Sequence, residues 1–244
     1  MHPVLFHVGA TPVPSYAVMV GLGFLAAWLI RRAEVRRLGH ARQPGYLWVG
    51  VGCLLGAMLG SKLGMLLFEP PEDFARLLAQ MTSWDFSGKT VVGGLAGGYV
   101  GVEVAKKLVG ITTSTGDAFA VAVPAGQALG RVGCLLEGCC YGTTWNGPWA
   151  IHLHGALRHP VQAYEAVMDL ALAAMLFTIR RQTRPAGHLF KVYLVGYGMT
   201  RFLLEWLRGD PALTWAGLTL VQWVCLAAVI GFGRRVWGRK LVGA

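Results

Sequence analysis

VYLVGYGMTRFLLEWLR, residues 192–208, is an apolar run of helical length that nevertheless carries Arg201, Glu205 and Arg208. AVPAGQALGRVGCLLEGCCYG, residues 122–142, does the same with Arg131. A charge near the centre of a bilayer span costs roughly 2.5–3.5 kcal/mol on insertion scales, so such residues face a polar cavity or a partner rather than lipid. Tyr197, Arg201, Glu205 and Arg208 follow one another at spacings of four, four and three. That spacing predicts a phenol, a cation, a carboxylate and a second cation on one helical stripe. Arginines in glycine-bearing apolar helices point to an anionic ligand held at membrane depth, with a phospholipid phosphate as the natural candidate.

The rest of the chain supports a membrane reading. Of its 244 residues, 55% are hydrophobic and 14% charged. Seven apolar segments are legible, at about 13–30, 46–68, 91–105, 117–136, 161–179, 189–207 and 216–232. Runs near 20 residues can cross a hydrocarbon core about 30 Å thick. No Pro/Ser-rich linker marks a second domain. The expected fold is an all-α polytopic membrane protein, one membrane domain over residues 1–244, with seven transmembrane helices and a small polar cap at about 137–160.

Basic residues cluster after apolar segments: Arg31, Arg32, Arg36 and Arg37; Lys106 and Lys107; Arg180, Arg181 and Arg184; Arg234, Arg235, Arg239 and Lys240. Alternation of the spans puts all these clusters on one side, which the positive-inside rule makes cytoplasmic. The N-terminus is then outside, the C-terminus inside, and loops 69–90, 137–160 and 208–215 face outward. The net charge of +10 therefore reads as membrane topology and not as a nucleic-acid surface. No basic face interleaved with aromatics occurs outside the apolar segments. No cleavable signal peptide is expected, because the first apolar segment is followed by its arginines rather than preceded by them.

Glycines recur four apart at Gly56, Gly60 and Gly64, at Gly93, Gly97 and Gly101, and at Gly126 and Gly130. Small residues at this spacing let helix backbones approach closely. Gly93 and Gly94 could also turn backbone N–H groups toward a ligand. In GRVGCLLEGCCYG (130–142), Gly130, Gly133 and Gly138 leave room beside Arg131, which can grip two phosphate oxygens or pair with Glu137, Glu165 or Glu205. HPVQAYE (159–165) places Gln162 and Glu165 three apart, able to buttress the arginines, with Tyr16 on the same side. His159 is a candidate proton acceptor near neutral pH.

Taken together these pieces resemble the bacterial phosphatidylglycerol:prolipoprotein diacylglyceryl transferase family. HP…SYAVMVGLGF, VVGGLAGG, GDAFAVAVPAGQALGRVGCLLEGCCYG, HPVQAYEA and GYGMTRFLLEWLRG occur in family order and cover most of the chain. The resemblance implies an enzyme of the bacterial cytoplasmic (inner) membrane, its site open to the external side. Its partners would be a phospholipid and lipobox-containing prolipoproteins. The diacylglyceryl group of phosphatidylglycerol moves to a cysteine thiol and glycerol phosphate leaves. Arg131 would bind the lipid phosphate and Arg201 would stabilise the departing one. Tyr16, Gly93, Gly94, Gln162, Glu165, Tyr197, Glu205 and Arg208 would line the substrate. The family's usual histidine before Gly-Gly-Leu is Val92 here, and its G-R-x-G-N-x-x-N-G-E reads GRVGCLLEGC. The phosphate-handling half of the site is kept, while the acid–base half is rewritten, leaving Glu137, His159 and Cys139 as its candidate groups. Two alternatives stay open: a phospholipid-processing transferase of the same scaffold with another acceptor or transferred group, and a non-catalytic lipid-binding or transport protein.

No cofactor and no metal are expected. For Cys134, Cys139 and Cys140 several uses stay open: a disulfide from Cys134 to either of the others, a zinc site shared with His152, His154 or His159, a nucleophile beside Arg131, or packing next to glycine. Cys53 and Cys225 read as small buried apolar residues.

The topology has a direct test. Reporter fusions after Arg37 and Arg181 are expected to read cytoplasmic and one near Asn146 external. An external signal at Arg181 would break the seven-span order.

Overall fold

Charge is turned inward and hydrocarbon outward along the helices of this chain. Leu47, Trp48, Leu59, Val167 and Leu203 are exposed, whereas Arg131, Glu165, Asp169, Arg201 and Glu205 are buried. Water would penalise that arrangement; lipid, which cannot satisfy a polar group, favours it.

The computed structural model describes residues 2–68, 90–182, 184–209 and 214–237. Among these are seven α-helices: α1 Ser15–Arg37, α2 Tyr46–Phe68, α3 Val91–Val109, α4 Ala122–Glu137, α5 Val161–Ile179, α6 His188–Leu204 and α7 Leu220–Trp237. Three antiparallel hairpins accompany them: β1 Val4–Val8 with β2 Thr11–Pro14, β3 Ile151–Leu153 with β4 Ala156–Arg158, and β5 Thr214–Trp215 with β6 Leu218–Thr219. Two helices, α2 over Tyr46–Gly64 and α5 over Val161–Ile179, are long and apolar enough to cross a membrane by length and composition. The expected outward loop over 69–89, residues 210–213 of the next one, and the basic pair Arg239 and Lys240 lie outside the described residues.

The described residues pack as two compact units. One is drawn from Met1–Val35, Ser114–Asp210 and Gln222–Ala244, the other from Arg36–Thr113 and Pro211–Val221. In the second unit α2 and α3 meet through their glycines. A side-chain carbon at Gly56 would lie 2.3 Å from the Gly97 carbonyl oxygen, and one at Gly101 would lie 2.0 Å from that of Gly52. Only hydrogen fits there, so the two backbones touch, as the spacing of four predicts.

In the first unit, α4 packs on α5 and α5 on α6. The N-terminal hairpin is tied to α4 by the His2 N–H, which donates to the Leu136 carbonyl at 3.2 Å. The Ser15 hydroxyl donates to the His2 carbonyl and secures the start of α1. Arg180, expected among the cytoplasmic basic residues, pairs with buried Glu34 at 3.1 Å.

α1, α3 and α7 run on past the apolar segments to Arg37, Val109 and Trp237, and three further limits differ from the sequence reading for a local reason. α4 begins at Ala122, not 117, because Asp117 serves another element. Its carboxylate accepts the Gly187 N–H at 2.7 Å and the Phe190 N–H at 3.1 Å, capping the otherwise unsatisfied N-terminus of α6. The last helix begins at Leu220, not 216, because β5 and β6 turn back on each other through Ala216 and Gly217, both at positive φ. Finally, α6 stops at Leu204. Glu205–Leu207 tighten into a 3-10 turn and Arg208 is extended, so Arg208 does not continue the helical stripe. The backbone there is taken over by the polar cap: the Thr143 N–H donates to the Leu207 carbonyl at 2.8 Å, and the Gly209 N–H to the Tyr141 carbonyl at 2.9 Å.

The glycine seam predicts a contrast. At Gly97 a methyl group would lie 2.2 Å from the Gly56 carbonyl, whereas at Gly94 its nearest neighbour is 3.6 Å away. Gly97→Ala should therefore destabilise by about 1–3 kcal/mol through overpacking. Gly94→Ala should be neutral or stabilising by up to about 1 kcal/mol through helix propensity. Thermal unfolding midpoints of the detergent-solubilised variants distinguish the two.

Candidate functional site

Glu165 is the centre of the site. It sits one turn into α5, which starts directly after Pro160, and its side chain is only 5% exposed. Burial of a carboxylate requires compensating charge, and three arginines supply it. The Arg131 Nε, from α4, lies 2.8 Å from Glu165 Oε2. The Arg201 Nε, from α6, is 3.7 Å from Glu165 Oε1, and the Arg208 Nη1 is 3.9 Å from the same oxygen. Glu205 is the second carboxylate: it pairs with Arg201 one helical turn away, and its Oε2 is 3.8 Å from the Arg208 Nε. Thus Arg208, although off the helix, still reaches the cluster, because the cap holds its backbone at the helix end.

A small, shallow cleft opens on this cluster, lined by Arg131, Glu165, Asp169, Tyr197, Thr200 and Arg201 among others. Tyr197 is buried, and its hydroxyl has no hydrogen-bond partner among the described residues. A buried hydroxyl in that state marks a place where a polar ligand can complete the bonding. Guanidinium groups already ordered by carboxylates present their forks to an anion with little loss of side-chain freedom. Asp169 was not singled out from the sequence. It lies four residues after Glu165 in the same apolar segment, and that spacing was the available signal. Tyr193 was likewise passed over: its hydroxyl donates to Gln127 at 2.9 Å below the cleft.

Beside Arg131 lies a second polar group. The sulfur atoms of Cys134, Cys139 and Cys140 all fall within 4.8 Å of one another, and all three cysteines are free. α4 ends at Gly138, which adopts the left-handed conformation that a helix end commonly requires. The chain then folds back over the last turn of the helix. Gln162, fully buried, donates to the Cys139 carbonyl at 2.6 Å, so it supports this loop rather than the arginines. The Cys140 thiol is held below its ordinary acidity range by hydrogen bonding from Cys134 and then Cys139, with the positive charges of Arg208 and Arg131 adding to the effect. Tyr16 packs against Gly133, and its phenol is within electrostatic reach of the three cysteines and Arg131.

The remaining expected residues each have their own surroundings. Glu137 is exposed at the last position of α4. His159 stacks on Trp145 at 4.3 Å, and its Nδ1 lies 3.3 Å from the Tyr164 hydroxyl. Gly93 and Gly94 belong to α3 in the second unit. There Gly93 presses on Gly60 and Gly64, and the Gly94 N–H donates to the Thr90 carbonyl at 3.0 Å. Both glycines therefore serve helix packing and helix initiation. Val92 is the second residue of α3 and is half-buried.

The sequence profile of the prolipoprotein diacylglyceryl transferase family matches residues 3–237. A phosphatidylglycerol–prolipoprotein diacylglyceryl transferase of Clostridium tetani is 30% identical over 245 residues, covering 94% of each chain. One of Geobacter sulfurreducens is 36% identical over 218 residues, 86% of this chain and 83% of the relative. One of Burkholderia ambifaria is 30% identical over 291 residues, 98% of this chain and 95% of the relative. A match running nearly end to end, on a chain whose arginines converge on one buried carboxylate, means that this protein belongs to the prolipoprotein diacylglyceryl transferase family.

Proposed function

We propose that this protein transfers the diacylglyceryl group of phosphatidylglycerol to the thiol of a prolipoprotein cysteine. The observation that carries this reading is the buried Arg131–Glu165–Arg201 arrangement opening on a cleft between apolar helices. A phospholipid brings an anion on an apolar stem, and the site offers cations on an apolar wall.

In the reaction the acceptor sulfur bonds to the glycerol carbon that carries the phosphate. The carbon–oxygen bond to phosphate breaks, and its electron pair leaves with glycerol phosphate. Negative charge accumulates on the departing phosphate oxygens. Arg131 and Arg201, fixed in advance by Glu165 and Glu205, are assigned to stabilise it, with Tyr197 and Arg208 in support. Preordering matters because donors that need not reorganise contribute most to the rate. The thiol proton needs an acceptor that Val92 cannot provide. Among the described residues, Glu137, His159 and Asp169 are candidates to take it. Cys139, with its neighbours, and Tyr16 border the site in this reading.

The same reading makes the chain a seven-span protein of the bacterial cytoplasmic membrane and its two compact units parts of one membrane domain. The N-terminus lies outside, the C-terminus inside, and the cleft faces outward with the cap at 137–160. The one-sided basic clusters support it.

Incubation with labelled phosphatidylglycerol and a lipobox peptide tests the activity. The expected product is a peptide whose cysteine carries a diacylglyceryl thioether, together with free glycerol phosphate. Consumption of phosphatidylglycerol without modified peptide would overturn the reading. Arg131→Ala and Arg201→Ala should each abolish turnover. Arg131→Lys should keep the fold but lower kcat by about 10²–10³-fold, the loss typical of one preorganised donor, because the planar fork is gone.

Glu165 makes a separate prediction. Glu165→Gln removes the charge that offsets two buried arginines, and breaking a buried pair typically destabilises by about 3–5 kcal/mol. The expected result is a lowered thermal midpoint as well as lost activity. Wild-type stability would mean that the arginines are compensated by other groups.

A further inference from the structure

We infer that Cys134, Cys139 and Cys140 form a binding site for one soft, thiophilic cation held by three sulfur ligands. The inference rests on the thiol cluster itself and stands apart from the transfer reaction. Three sulfurs bound to one ion at about 2.3 Å lie about 4 Å from one another. Here all three lie within 4.8 Å, so side-chain rotation alone closes the set. The cluster contains sulfur and no carboxylate. That composition disfavours calcium and magnesium and selects the thiolate-loving ions, monovalent copper and zinc.

The loop is shaped for this purpose at a local conformational cost. Cys140 has φ 57, a left-handed backbone uncommon for any residue but glycine. That turn brings the Cys140 sulfur back toward Cys134 on the helix. Two hydrogen bonds from other elements hold the turn in place. Gln162 of α5 donates to the Cys139 carbonyl at 2.6 Å, and the His154 Nε2 donates to the Gly138 carbonyl at 3.0 Å. Such outer supports keep first ligands oriented in metal sites. The positive field of Arg208 and Arg131 reaches Cys140, which matches the negative charge that three thiolates bring to one ion. Binding exchanges three thiol protons for the cation. The protons leave to water, and no oxidation state changes.

Full-length protein in detergent, reduced and kept free of oxygen, is titrated with Cu(I) and separately with Zn(II), each against a chromogenic chelator. One ion per chain is expected, and saturation should protect Cys134, Cys139 and Cys140 from maleimide while labelling of Cys53 and Cys225 is unchanged. Protection is read on the native chain, so it does not depend on a variant folding. The double variant Cys53→Ser/Cys225→Ser should bind as the native chain does. Gln162→Ala should weaken binding about 10–100-fold, the usual loss for an outer support. Whichever ion binds identifies the occupant. The inference is overturned if neither ion protects the three thiols, if binding survives their joint replacement by serine, or if two of them form a disulfide in the protein as isolated.

Discussion

A single carboxylate, Glu165, sets the conditions for the rest of the first unit. Placed on an apolar helix and buried, it is tolerable only with positive charge against it. Arg131 from α4, Arg201 from α6 and Arg208 from just beyond the end of α6 supply that charge at 2.8, 3.7 and 3.9 Å. The constraint is reciprocal, since the arginines would be just as costly to bury without it. Three segments distant in sequence are thereby brought to one point, and the cleft is the space left beside them. Ion pairs of this kind add little net stability, because desolvation offsets their attraction. Their value here is positional: the cations are ordered before any ligand arrives.

Backbone contacts that carry no charge make this convergence possible. The cap does not simply cover the helices. Its strand-like stretch at Tyr141–Thr143 pairs with Leu207 and Gly209, and this pairing ends α6 and aims Arg208 inward. At the other end of α6, Asp117 takes two N–H groups that the helix cannot satisfy itself. In the second unit, α2 and α3 meet closely through their glycines, as small residues allow helices to do in lipid.

Two chemistries lie side by side at the end of α4. One is hard and cationic, built from guanidinium groups around carboxylates. The other is soft and thiol-based, built from Cys134, Cys139 and Cys140. Their proximity is electrostatically consistent, because thiolate charge and guanidinium charge stabilise each other.

Much of this was legible in the sequence, because burial of charge in an apolar segment has few physical solutions. Arg131, Glu165, Tyr197, Arg201 and Glu205 could be named from charge and spacing within apolar segments, and the glycine periodicity announced the contact of α2 with α3. The limits of α2 and α5 could be read to the residue. What the sequence could not decide was partnership across distance. It left Arg131 with three possible carboxylates; the fold chose Glu165. It put Arg208 on a helical stripe, yet pairing with the cap stops the helix at Leu204. Gln162 was expected to brace arginines and instead holds the Cys139 loop, while Asp169 passed unnoticed until the cleft formed around it. The three cysteines read as C-x4-C-C, with several uses open, until the left-handed turn at Cys140 drew them together. Periodicity and composition report which face of an element is polar. Only packing, which joins residues remote along the chain, decides what each polar group meets there.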